Sequence, residues 1–106
     1  MKREKTLSLF AFRHQMPKEA LAGSVFRTIR DPTNLNVLMD QAHESLKDCC
    51  KLTLYVTGLT TALVTVINYC QYNSIPLTLM HYDKNSGDYF PQKVFIREED
   101  KEIKNE

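Results

Sequence analysis

Residues 52–83 constrain this chain more than any other stretch. Leu52-Thr-Leu-Tyr-Val56 reads as a strand, and Thr57-Gly58-Leu59-Thr60-Thr61 reads as a tight turn. An apolar helical run continues to Asn73, and Pro76-Leu-Thr-Leu-Met-His-Tyr-Asp83 opens the next strand. A strand feeding a glycine turn that opens a helix leaves backbone N–H groups unpaired at the helix start. With the positive end of the helix dipole, those groups suit an anion. Where parallel strands lie side by side their carboxyl ends line one crevice, and ligands bind there. The stretch therefore points to a ligand class more than to a reaction.

The flanking segments extend the same pattern. Thr6 to Phe12 is apolar on both faces, as a doubly covered strand is, and ends abruptly in Arg13-His14-Gln15. Pro17 followed by Lys-Glu-Ala-Leu-Ala suits a helix start. Gly23 weakens that helix, and Val25, Phe26 and Ile29 continue its apolar face until Asp31-Pro32 breaks it. Asn34 is a good N-cap for a second helix, whose stripe is Leu35, Leu38, Met39, Ala42 and Leu46. His43 falls on its solvated side. The helix after Thr61 is apolar over much of its circumference and is expected to be the most buried. Lys84 to Asp88 is a turn by composition, and Tyr89 to Ile96 a strand that pairs with its predecessor as a hairpin. Pro91 puts the first half of that strand at an edge or in an irregular position.

Strands separated by helical stretches argue for βαβ units and a parallel sheet. The expectation is a small Rossmann-like three-layer α/β domain over residues 1–96, mostly parallel, with an antiparallel C-terminal hairpin strand. Residues 97–106 form a charged tail. A domain of 106 residues has few layers to cover both faces of a sheet, so a homodimer is expected, through the Tyr69–Tyr72 side or the second helix.

Charge excludes one class of partner. Fourteen Lys and Arg against thirteen Asp and Glu leave a net charge of +1, too little for non-specific binding of bulk DNA or RNA. Three cysteines, with Cys49 and Cys50 adjacent, make neither an even disulfide framework nor zinc spacing, and suit reduced thiols in a cytoplasmic protein. No signal peptide or membrane span is read. No metal ligands or cofactor are expected, because nothing matches a Walker loop, a GxGxxG fingerprint or a carboxylate cluster.

Three strand ends carry polar clusters: Arg13-His14-Gln15, Thr57 to Thr61, and His81-Tyr82-Asp83. Each has a plain structural reading: a hydrogen-bonding histidine, a threonine-capped turn, and turn-forming Asp83 and Asp88. Together, on one edge of a parallel sheet, they suit a phosphate-bearing ligand. Arg13 is a two-pronged phosphate donor, His14 and His81 exchange protons near neutrality, and Tyr82 and Tyr89 offer stacking faces. Gln15, Thr57, Gly58, Leu59, Thr60, Thr61, Tyr82 and Asp83 are the ligand-binding candidates, with His14, His81 and Arg13 as the catalytic ones.

The first strand ending in Phe12-Arg13-His14, followed by Gln-Met-Pro-Lys-Glu-Ala-Leu21, resembles the Phe-x-His-x-Leu-Thr-x-x-Gln opening of very small CRISPR-associated proteins of the ring-nuclease type. These are related in character to CARF domains, which bind cyclic oligoadenylates. The Gly58 turn is similar to the ligand-contacting turn of those folds. The likeness covers roughly the first twenty residues and the central turn; Met16-Pro17 stands where the pattern has Leu-Thr, and Ala20 where it has Gln. The resemblance implies an antiviral-defence protein that binds a cyclic oligoadenylate on the two-fold axis of a dimer, ringed by Arg13, His14 and Thr60. It further implies metal-independent cleavage, in which the ligand's own 2′-hydroxyl attacks phosphorus while His14 or His81 transfers the proton. Binding without turnover fits equally. Two other readings stand beside it: an interaction module that docks a protein on the aromatic hairpin (Tyr82, Tyr89, Phe90, Phe95), and a generic mononucleotide-phosphate binder.

Overall fold

The computed structural model describes residues 2–10, 23–27 and 29–95. Their elements run β1 (Arg3–Phe10), β2 (Ser24–Phe26), α1 (Leu35–Leu46), β3 (Cys49–Tyr55), α2 (Thr60–Tyr72), β4 (Leu77–Asp83) and β5 (Asp88–Phe95). The sheet is ordered β2-β1-β3-β4-β5. Its first four strands are mutually parallel, and β5 returns antiparallel to β4. This is a mixed α/β domain whose mostly parallel sheet ends in an antiparallel pair.

Register sorts the side chains. Leu7 lies opposite Leu54, Leu52 opposite Leu77, and Leu54 opposite Leu79, so these leucines share one face. Helices α1 and α2 pack against each other, and Leu38, Ala42, Leu46, Ala62 and Val66 join the sheet leucines in one core. Each buried leucine contributes about 1.5–3 kcal/mol by leaving water. Among the described residues both helices therefore cover the same face; the helix expected from Pro17 starts outside them. The other face carries rows of Thr6, Thr53, Thr78 and Lys93, then Ser8, Tyr55, Met80 and Pro91.

Two expectations about strands need correction. Ser24–Phe26 extends no helix: it is the edge strand β2, with Ser8 opposite Ser24 and Phe10 opposite Phe26. The described sheet therefore has five strands, where the sequence suggested four. Gly23 helps explain the switch, since glycine weakens helix and its backbone approaches β1 closely. Ser8 N–H donates to the Gly23 carbonyl at 3.0 Å, and a Cβ on Gly23 would stand 3.2 Å from Leu7 Cδ2.

The helices follow local chemistry. The Asn34 side chain accepts from Val37 N–H at 3.3 Å and caps α1. Leu38, Ala42 and Leu46 are its buried stripe, whereas Leu35 and Met39 are exposed, so the apolar face is narrower than the spacing suggested. Helix α2 ends with Ser74 at φ 56, Ser74 N–H donating to Gln71 O at 3.4 Å and Ile75 N–H to Cys70 O at 2.8 Å. That is a Schellman closure with serine in the place usually held by glycine. His43 is exposed, yet its Nδ1 lies 3.1 Å from the Tyr69 hydroxyl and ties α1 to α2. Cys49 and Cys70 are buried, and burial pushes the Cys70 thiol up to about 12, so it stays protonated. No described helix is long and apolar enough to cross a membrane.

Candidate functional site

The carboxyl edge of the parallel strands is assembled by backbone bonds. Val56 N–H donates to Met80 O at 3.0 Å and keeps the end of β3 against β4. Phe10 N–H donates to the Thr57 hydroxyl at 3.2 Å and ties the end of β1 to the residue after β3. Thr57 is buried, and its oxygen serves this closure, while Gly58, Thr60 and Thr61 are exposed. Gly58 turns the chain at φ 51, in the left-handed region where a side chain is costly. Leu59 packs partly against the core.

The start of α2 differs from the threonine-capped turn that the sequence left open. Its N-cap is Leu59, no side chain caps it, and no acidic residue lies in its first turn. The first backbone bond runs from Leu63 N–H to Leu59 O at 3.2 Å, so the N–H groups of Thr60, Thr61 and Ala62 precede the helical ladder. The Thr65 hydroxyl donates back to Thr61 O at 2.8 Å, inside the helix and away from this end. An anion set there would meet backbone donors, two exposed hydroxyls and the positive end of the dipole.

The β4 candidates divide between the two faces. His81, two residues beyond Leu79, lies on the helix-bearing side, where its Nε2 is 2.7 Å from Gln92 Oε1 and its ring tilts over Phe90 at 5.4 Å. Tyr82 lies on the opposite side, edge-on to Tyr89 at 5.4 Å, and Tyr89 is edge-on to Tyr55 at 4.9 Å. Burial first, then the neighbouring phenols, raises the Tyr89 hydroxyl above its ordinary range. Asp83 belongs to the hairpin turn: its Oδ1 accepts Asn85 N–H at 3.0 Å and its carbonyl accepts Gly87 N–H at 2.8 Å. Arg13, His14 and Gln15 lie outside the described residues.

The described edge thus brings together Thr57, Gly58, Leu59, Thr60 and Thr61, and sets His81 and Tyr82 on opposite sides of β4. Tyr55 is the residue that sequence reading missed. Its signal was strand parity, which puts it on the same side as Thr53 and opposite Leu54. Among the described residues, no three His, Cys, Asp or Glu side chains gather to hold a metal ion. Two cavities among the described residues lie elsewhere, beside α1: one of about 730 Å³ against β1 and β2, and one of about 390 Å³ near Arg30 and Asn34.

Compared with known proteins, the chain matches no family model, no curated protein and no solved structure.

Proposed function

We propose that the chain binds a phosphate-bearing nucleotide at the carboxyl edge of its parallel strands, in the manner of a Rossmann-like sheet. One observation carries this reading: the N-terminus of α2 opens directly from the Gly58 turn with no side chain capping it. Unclaimed N–H groups on a turn with exposed Thr60 and Thr61 are what a phosphate needs. The resemblance of the N-terminal segment and of this turn names the ligand as a cyclic oligoadenylate, held on the axis of a homodimer. Cleavage there would be a 2′-hydroxyl attack on the adjacent phosphorus, breaking the P–O5′ bond. It requires in-line positioning and charge stabilisation more than dedicated catalysts. Arg13 would stabilise charge, with His14 or His81 moving the proton; freeing His81 would mean exchanging its Gln92 contact.

The test is metal-free incubation with cyclic oligoadenylates of several ring sizes, read by thermal shift and by chromatography of the nucleotides. The expected result is stabilisation by one ring size, lost in Arg13→Ala and Thr60→Ala variants that keep the far-ultraviolet spectrum of the parent. Unchanged affinity in both variants sinks the site. Linear product would establish turnover, and stabilisation without product a sensor.

A second reading rests on a different observation. Tyr82, Phe90 and Val94 on the final hairpin are each 39% to 49% exposed, an unusual concentration of large apolar side chains on an edge. A protein partner docking there would be retained by the parent chain and released by Tyr82→Ala combined with Phe90→Ala.

A further inference from the structure

Among the described residues β5 ends the sheet on one side, with no strand beyond it. An edge strand of eight residues is a template for pairing with another chain. Phe90 and Val94 are 49% and 39% exposed, and Pro91, Gln92 and Lys93 between them are exposed too. Hydrogen-bond parity tells which backbone groups of β5 face the open side. Within a strand the N–H and C=O of one residue point the same way, and successive residues alternate. The Met80 carbonyl accepts Val56 N–H at 3.0 Å, so Met80 is turned toward β3. Its neighbours Leu79 and His81 are therefore turned toward β5, where Gln92 and Phe90 stand opposite them. Tyr89, Pro91 and Lys93, opposite Tyr82, Met80 and Thr78, face outward. Proline has no N–H to donate. The Pro91 nitrogen thus takes no bond from the hairpin and leaves a gap in the middle of the outward row. At the other edge β2 has three residues, which offer little to pair with.

We infer that Pro91 guards the β5 edge against a second copy of this chain. Two copies meeting edge to edge about a two-fold axis pair antiparallel, and only their outward residues can exchange bonds. Centred on Pro91, that pairing sets Tyr89 opposite the other copy's Lys93 and Pro91 opposite Pro91. The central pair then forms neither of its bonds. Shifted along by one step either way, Pro91 meets Tyr89 or Lys93 of the other copy, and each of the two symmetric pairs lacks a bond. Every one of these registers leaves carbonyls unpaired inside the joined sheet, where they have no water to turn to. The pyrrolidine ring also fills the space that an N–H would offer to an incoming strand. A foreign strand without proline meets the gap once rather than twice, so the block falls hardest on self-association. The guard holds whatever the strand ends bind, and a homodimer of this chain meets through another surface.

The test is Pro91→Thr in the whole chain. Threonine restores a donor on the open side, removes no bond to β4 and suits a strand. By size-exclusion chromatography with light scattering, the parent is expected to keep one mass over about a hundredfold range of concentration. The variant is expected to keep the parent's far-ultraviolet spectrum and to rise to at least twice the parent's mass as concentration increases. Hydrogen exchange locates the contact: on association the amides of Tyr89 and Lys93 are expected to slow by at least about tenfold relative to the parent. The inference is overturned if the folded variant keeps the parent's mass at every concentration. Association that leaves the Tyr89 and Lys93 amides exchanging as in the parent also overturns it, since the contact then lies elsewhere. So does a variant that fails to fold, because the proline would then be holding the strand rather than guarding its edge.

Discussion

Helices α1 and α2 lie side by side on the same sheet face, yet they are finished in opposite ways. Helix α1 is closed at its start by Asn34 and carries its polar residues outward, with Asp40 and Glu44 beside a groove. Helix α2 starts bare at Leu59 and is closed at its end by the Ser74 turn. A capped N-terminus has its donors satisfied and contributes to stability; an uncapped one keeps donors for something else. The contrast teaches where to look for function. In α2 it is the backbone of the first turn, whereas the first turn of α1 serves stability.

The contrast can be broken first in the shared core. Leu38 is fully buried under α1, and Leu38→Ala is expected to cost about 2–5 kcal/mol in chemical denaturation, while Val64→Ala on the exposed side of α2 stays within about 0.5 kcal/mol. Equal losses would mean that the helices do not pack on this face as described. A smaller effect sharpens the difference between the two N-termini. Asn34→Ala removes the α1 cap and should cost about 1 kcal/mol, without altering the nucleotide binding proposed at α2. If Asn34→Ala abolished that binding, the division of roles between the helices would fail.

The smallest expected effect concerns the corner where α1 meets β1. The hydrogen bond from Lys5, more than its charge or that of Arg3, holds the Asp48 carboxyl below the usual carboxylate range. A depressed folded value means that this contribution is present at neutral pH, begins to fall as pH drops past the ordinary Asp value of 3.8, and is lost through the lowered one. Asp48→Asn should flatten the acid limb of the stability profile slightly. An unchanged limb would show the pair to be energetically silent, as many exposed pairs are.

Much of this architecture was legible residue by residue. Asn34 marked the start of α1, Asp83 and Gly87 framed the hairpin turn, and Pro91 belonged on an edge strand, where β5 is found. The strand-turn-helix-strand unit from Leu52 to Asp83 was legible because several local signals agreed there. The candidate turn was equally plain, although its buried Thr57 proved to hold β1 rather than to face outward. The Tyr55–Tyr89–Tyr82 cluster and the groove beside α1 were not legible, since each joins elements far apart in the chain. Of the dimer contacts expected on α2, Tyr69 is buried inside the domain, while Tyr72 is 89% exposed.

Local chemistry by itself determined the helices α1 and α2 and the turns, because caps, glycine turns and hydrophobic periods act within a few residues. Tertiary packing alone decided that Ser24–Phe26 became a strand. Three residues have no period of their own, and their pairing energy comes from β1. It decided too that both described helices take the leucine face, that His81 and Tyr82 part to opposite sides, and that Lys5 meets Ser45 and Asp48. These outcomes depend on which strands become neighbours, and that choice is made by burying the core as a whole.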